Sequence, residues 1–272
     1  VEVQGYRVAA MRAAADLSEA MGDADEAFAL RQAADDLVRS IDAAFWDEDL
    51  GTFCMALDGD KRRLRVSASN AGHLLYCDAV LPERRDRLIE TLAAPALRSG
   101  WGIRTLSADS VRYNPMGYHT GSVWPHDTGI VAAGIARAGR PDLAAEFTDE
   151  LFAASRFFPE NRLPELWCGF PRGQSVRPVP FPSACSPQAW SAGAPFMCLQ
   201  ACLGLSFEAP AGILHVANGV LPPGVDRLVI RDLRVGHGRV HLRFVRAPDG
   251  EARLDSAEGD PDAGIAVMPN AH

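Results

Sequence analysis

Glu165 is the sole acidic residue between Arg162 and Trp190, a stretch reading RLPELWCGFPRGQSVRPVPFPSACSPQAW. It shares that stretch with Trp167, Phe170, Phe181, Trp190 and six prolines. Proline fixes φ and removes a backbone donor, so the segment is expected to be neither a helix nor an inner strand. It is long for a connector and too rich in aromatics for disorder, which leaves a positioned loop as its reading. Glycoside hydrolysis uses this kind of equipment: two carboxyl groups flanking the scissile bond, separated by roughly 6.5–9.5 Å in the inverting geometry. It also needs flat aromatic surfaces for sugar faces and polar groups for hydroxyls. Trp101, Tyr113, Tyr118, Trp124 and Trp167 could supply the first, and Arg104, Asn114, His119, His126 and Gln188 the second.

Glu165 is the best carboxylate and Asp127 the second, although an acid in the first turn of a helix also simply stabilises the helix dipole. Trp124 and Trp190 begin helices and can be read as core aromatics, Trp190 more so. His126 beside Asp127 suggests a base and its orienter, but adjacent residues on a helix do not face each other, and the pair is discounted. No nucleophile elbow around a serine and no glycine-rich phosphate loop occurs in the sequence, which counts against serine-hydrolase and nucleotide chemistry.

The elements that must position these residues are helical. Tyr6, Ala10, Ala13, Leu17 and Met21 recur at three- and four-residue spacing and predict a helix with that face buried; Gly22-Asp23 ends it. Leu30, Ala34, Leu37, Ile41 and Phe45 repeat the pattern, so the two form an antiparallel hairpin. Residues 49–66 read as a loop or small β-hairpin. Helices are then expected over 71–80, 82–94, 122–138, 141–157 and 187–203, the last kinked or split at Pro195. Long Gly-, Pro- and Trp-bearing connections precede each hairpin, while links within a hairpin are short. Hairpins set in a ring would gather the long loops, with Trp101, His119, Trp124, Asp127 and Glu165, on one face. Beyond residue 205, short alternating runs at 213–216, 228–230 and 240–244 predict three or four antiparallel strands, over 206–247. The acidic stretch 248–272 reads as a mobile tail.

The bulk numbers narrow the function classes. The 272 residues carry a net charge of −8, which argues against nucleic acid as the main partner. No apolar run is long enough to span a membrane, so no membrane association is expected. Six scattered cysteines lack metal-ligand spacing, so no metal is expected. They read as buried thiols of a reducing cytoplasm; Cys168 and Cys185 flank the central loop and could approach one another, but a disulfide is not expected.

Six blocks then occur in order: EVQGY (Glu2–Tyr6), SNAGHLL (Ser69–Leu75), SGWGIRTL (Ser99–Leu106), YNPMGYHTGSVWPHDT (Tyr113–Thr128), RLPELWCGF (Arg162–Phe170) and ACSPQAW (Ala184–Trp190). Together they resemble the bacterial amylo-α-1,6-glucosidase family, related to the glucosidase half of glycogen debranching enzymes. The resemblance covers residues 1–205 and implies an all-α (α/α)6 six-hairpin toroid, followed by a small antiparallel β segment, and inverting hydrolysis of an oligosaccharide or α-glucan without a cofactor. It implies Glu165 as general base, with Trp101, Arg104, Tyr118, His119, Trp124 and Asp127 lining the sugar subsite and Glu2 and Gln4 contacting hydroxyls. The family's general acid lies in a Gly-Trp-Lys-Asp-like segment upstream of the first block, a segment that does not occur between Val1 and His272. The chain is therefore expected to be the C-terminal part of a longer enzyme, inactive alone, with the N-terminal part of the same polypeptide as its partner. A six-hairpin hydrolase for a mannosylglycerate- or trehalose-type glycoside, and a non-catalytic carbohydrate-binding module, are the alternative readings.

Overall fold

The computed structural model describes residues 1–208, 211–217, 219–259 and 266–269. Seven α-helices dominate the described residues: α1 (Glu2–Ala20), α2 (Ala24–Phe45), α3 (Asn70–Tyr76), α4 (Pro82–Ala93), α5 (Pro125–Arg137), α6 (Pro141–Ser155) and α7 (Ala189–Cys202). Their ends follow local chemistry. Asp23 caps α2 by accepting the Glu26 amide at 3.1 Å, and α4, α5 and α6 each open on a proline, whose missing N–H costs nothing in a first turn. Gly22, after α1, takes a positive φ of 87°, which a side chain would resist.

The helices pair as the sequence predicts. α1 packs on α2, α3 on α4, and α5 on α6; α1, α3, α5 and α7 then pack in succession, each on the next. Close approach between α3 and α5 depends on small residues: a Cβ at Gly134 would stand 2.6 Å from the Tyr76 amide nitrogen. The four odd-numbered helices start at the same end, because the first turns of α1, α3 and α5 are joined by side-chain hydrogen bonds and that of α5 stacks on that of α7. The described residues thus form an arc of hairpins, part of the expected toroid, with the long loops gathered at one end.

Short two-stranded ladders brace those loops. β1 (Trp46–Asp47) pairs with β2 (Thr52–Phe53), and β3 (Ala56–Leu57) with β4 (Arg63–Leu64), in the region read as a loop or hairpin. β5 (Trp167–Cys168) pairs with β6 (Val179–Pro180), and Trp167 also bridges Val123 on its other side. The proline-rich loop therefore does contain a paired inner residue. The pairing is possible because Pro180 sits on the outer member, where its missing N–H interrupts little.

Six further strands form two three-stranded sheets: β7 (Leu205–Glu208), β8 (Ile213–Val216), β9 (Arg227–Val235), β10 (Gly238–Arg246), β11 (Ala252–Gly259) and β12 (Ala266–Pro269). The orders are β11-β10-β9 and β12-β8-β7, with β12 parallel to β8. Leu203, Leu205, Leu214, Val216, Leu221, Val235, Val240, Leu242 and Phe244 give this segment its own core.

Three sequence expectations are corrected here. The α1 face carrying Tyr6, Ala10, Ala13, Leu17 and Met21 is solvent-facing, with Leu17 67% and Met21 85% exposed; Gly5, Val8 and Ala15 make the packed face instead. α7 is not split: it runs from Ala189 to Cys202 with Pro195 inside it, and Ala194, Cys198 and Cys202 are buried on either side of the proline. Residues 252–259 of the supposed tail form β11, whose ladder with β10 supplies the hydrogen bonds that the weak sequence pattern does not advertise. Residues 260–265 and 270–272 lie outside the described residues.

Candidate active site

Glu165 is held from three sides at the loop end of the arc. Its backbone N–H donates to the Cys185 carbonyl at 2.8 Å, and the Cys185 N–H donates back to Glu165 Oε2 at 3.2 Å. Tyr118 donates its hydroxyl to Oε1 at 2.5 Å. Next door, Trp167 and Val123 exchange two backbone hydrogen bonds of 2.9 and 3.0 Å, which tie the strand after Glu165 to the residue before Trp124. The carboxylate is only 8% exposed, yet both its partners donate and each oxygen keeps a lone pair free. The Tyr118 phenol titrates above its ordinary value, because Glu165 holds its proton.

Aromatic rings stand around this carboxylate. Tyr118 meets Trp124, His119 and Phe181 edge-on at centroid distances of 4.9, 4.7 and 5.5 Å. His119 stacks on Trp124, and Trp124 donates its indole N–H to Ser122 Oγ at 2.9 Å. Trp190, read as a core residue, is half-exposed and stacks on His126 at 4.5 Å. Its place in the first turn of α7 puts it at the same end as Glu165; helix periodicity alone could not distinguish that from a core position. Burial holds the His126 imidazole below its ordinary pKa, so at neutral pH it is an uncharged ring, and its Nδ1 finds no partner among the described residues.

A second constellation was not anticipated. His73, in the first turn of α3, places Nε2 2.6 Å from Asp127 Oδ1 and Nδ1 2.5 Å from the Tyr6 hydroxyl. Asp127 thus turns toward the neighbouring helix, and its Oδ2 is sealed from solvent without a partner among the described residues. Glu2 lies nearby: together with burial, its charge helps push the Tyr6 phenol up to about 12. Sequence spacing could not reveal a pair 54 residues apart.

Two expected subsite residues serve the scaffold. Arg104 is 2% exposed and donates to the carbonyls of Gly169, Pro95 and Ala96, so it pins the loops on either side of the site. Trp101 is 2% exposed, beneath the Arg172 guanidinium at 4.4 Å and against the edge of Phe157. Gln4, by contrast, is partly exposed near the start of α1. Arg104→Met is expected to remove the charged donor that ties Gly169 to Pro95 and Ala96 and to cost about 1.5 kcal/mol, seen as a drop in Tm; the Gly169 and Ala96 carbonyls keep the Tyr113 hydroxyl and the Ala108 N–H as donors. Sugar binding by the protein that remains folded should be unchanged; a selective loss of binding would return Arg104 to the subsite.

A cavity of about 800 Å³ lies at the opposite end of the helices, lined in part by Arg137, Phe196, Gly204 and Glu251. Glu165 does not line it. Among the described residues no helix is long and apolar enough to cross a membrane, and no group of three His, Cys, Asp or Glu side chains is placed to hold a metal.

Parallel-starting helices in hairpins, with loops, a carboxylate and aromatic rings at their common end, are the architecture of the six-hairpin glycosidases. The chain belongs to the family described as the mannosylglycerate hydrolase MGH1-like glycoside hydrolase domain, which matches residues 1–165. Among solved structures it resembles the GH63 mannosylglycerate hydrolase from Thermus thermophilus, in complex with Tris and D-glycerate, at 17% identity and a TM-score of 0.55, over 71% of this chain and 45% of that one. A GH78 rhamnosidase of Bacillus sp. GL1 matches at 19% identity and a TM-score of 0.65, over 97% of this chain and 25% of that one. Neutral trehalase from Saccharomyces cerevisiae matches at 14% identity and a TM-score of 0.54, over 73% and 37%. At these identities the likeness establishes the fold, and the chain spans less than half the length of each of these proteins. No curated protein matches the sequence.

Proposed function

We propose that this chain carries the general-base half of an inverting glycoside hydrolase, with Glu165 as the base that activates the attacking water. The observation that carries the reading is the Glu165 carboxylate itself: nearly buried, gripped by Cys185 and by the partly exposed Tyr118, at the loop end of the helical arc. The substrate class we favour is a small glycoside of the mannosylglycerate or trehalose type. The family match and the mannosylglycerate hydrolase and trehalase neighbours support this over the amylo-α-1,6-glucosidase reading, for which the comparisons offer nothing specific.

The proposal assigns only the base to these residues. A general acid needs a raised pKa and access to the leaving oxygen. Asp127, the second carboxylate of the site, is sealed against His73. The acid is therefore proposed to come from polypeptide outside the described residues.

A glycosyl fluoride separates the two roles, because fluoride departs without needing a proton. The chain is expected to hydrolyse an α-glycosyl fluoride to the β-anomer, followed by NMR, and to cleave the corresponding O-glycosides at least about 100-fold more slowly, the contribution of one acid. A panel of α-mannosyl and α-glucosyl fluorides, with mannosylglycerate, trehalose and isomaltose as O-glycosides, reads out the sugar preference. Release of the α-anomer, or hydrolysis of no fluoride by a folded chain, would end the proposal.

A further inference from the structure

Tyr6, His73 and Asp127 form one hydrogen-bonded line across the starts of α1, α3 and α5. Its inner members, His73 and Asp127, are each 7% exposed, whereas Tyr6 is 43% exposed. The chemistry of the groups fixes the direction of the line. A carboxylate only accepts, so the proton between Asp127 Oδ1 and His73 Nε2 belongs to the imidazole. In the neutral ring Nδ1 is then bare, and the Tyr6 hydroxyl must donate to it. The phenol has a single proton, and that proton points inward. What remains at the exposed end is an oxygen with lone pairs alone.

We propose that Tyr6 is a ligand-binding residue whose phenol oxygen accepts a hydrogen bond from a hydroxyl of a bound sugar, with His73 and Asp127 as positioning residues that hold it in the accepting state. This rests on the carbohydrate reading of the Glu165 site and adds to it a contact contributed by the start of α1, at the same end of the helices. Tyr6 also stays a neutral phenol across the working pH range, because burial and the charges of Glu2 and Asp127 oppose its ionisation. An uncharged acceptor suits a hydroxyl group, which binds by direction rather than by charge. The ring is tilted at 52° to His73, with centroids 5.9 Å apart, so the phenol is steered by its hydrogen bond and not by stacking.

Two measurements on the intact chain test this. The first needs no ligand: long-range ¹H–¹⁵N spectra of the histidines at neutral pH should show His73 as the neutral Nε2–H tautomer with an accepting Nδ1. A His73 cation or an Nδ1–H tautomer would make Tyr6 the acceptor within the line, free its proton for the ligand, and overturn the assignment. The second compares binding of methyl α-D-mannopyranoside and its monodeoxy analogues to wild type and Tyr6→Phe by calorimetry. Tyr6→Phe should bind the parent sugar about tenfold more weakly, and one monodeoxy analogue should bind both proteins alike, because its partner hydroxyl is gone. A merely structural Tyr6 would lower Tm and leave that selectivity flat, which would overturn the contact. If folded wild type binds no pyranoside, the carbohydrate reading falls and the sugar contact with it, while the tautomer still decides the hydrogen-bonded line.

Discussion

Glu165→Gln should abolish turnover of a glycosyl fluoride, with a loss of roughly 10²–10⁴-fold, the range associated with one general base. Gln keeps the shape of the side chain and an oxygen that can accept from Tyr118, so the loop from Arg162 to Trp190 should stay in place. Binding of the parent sugar should therefore survive, and the effect should lie in kcat and not in KM. The two Cys185 contacts support this, since one is purely backbone and does not depend on the side chain. Fluoride hydrolysis retained to within about tenfold would move the base elsewhere. Loss of sugar binding with loss of activity would mean that Glu165 holds the ligand and not the water.

His73→Ala is expected to be the most damaging single change to stability. Among the described residues the Asp127 carboxylate has one hydrogen-bond partner, and its side chain is nine-tenths buried, so removing the imidazole strands a carboxylate away from water. Breaking a buried pair by deleting one partner costs about 3–5 kcal/mol, and urea denaturation would register it directly. The double variant His73→Ala/Asp127→Ala should be more stable than the sum of the single changes, with a coupling of at least about 2 kcal/mol. A cost below about 1 kcal/mol for His73→Ala would show that Asp127 is satisfied by something other than His73.

The sequence made the helices legible because apolar periodicity and proline-led first turns are local signals, and α2, α4, α5 and α6 lie where those signals put them. Periodicity gives a face but not its partner. On α1 the packed side is built from Gly5, Val8 and Ala15, because a Cβ at Gly5 would come within 2.8 Å of Leu74; the larger residues face out. Glu165 stood out in the sequence because a lone acid among prolines and aromatics is a compositional anomaly. Trp101 and Arg104 show the converse. Aromatic and cationic side chains suit a sugar site and a loop scaffold equally, and the carbonyls that claim Arg104 come from Pro95, Ala96 and Gly169, which no spacing rule connects. The Tyr6–His73–Asp127 line was hidden because each member sits in a different hairpin. β11 was missed because its alternation is partly exposed and polar, and only its partner β10 carries a clear inward pattern.

The arc has a mechanical consequence. Each odd-numbered helix leans on its neighbours in the row, so opening can begin at a margin and travel inward, as in linear repeat arrays. Within these 272 residues taken alone, the α1–α2 hairpin packs principally on itself and on α3 and is the one to open first. Its amide protons should exchange with deuterium earlier than those of α5, which is flanked by α3, α6 and α7. Tyr6 and Asp127 fasten α1 to α3 and α3 to α5 through a single imidazole, so that one ring acts as a stitch through three successive hairpins. Unpicking it should spread fast exchange from α1 into α3 and leave α6 and α7 protected.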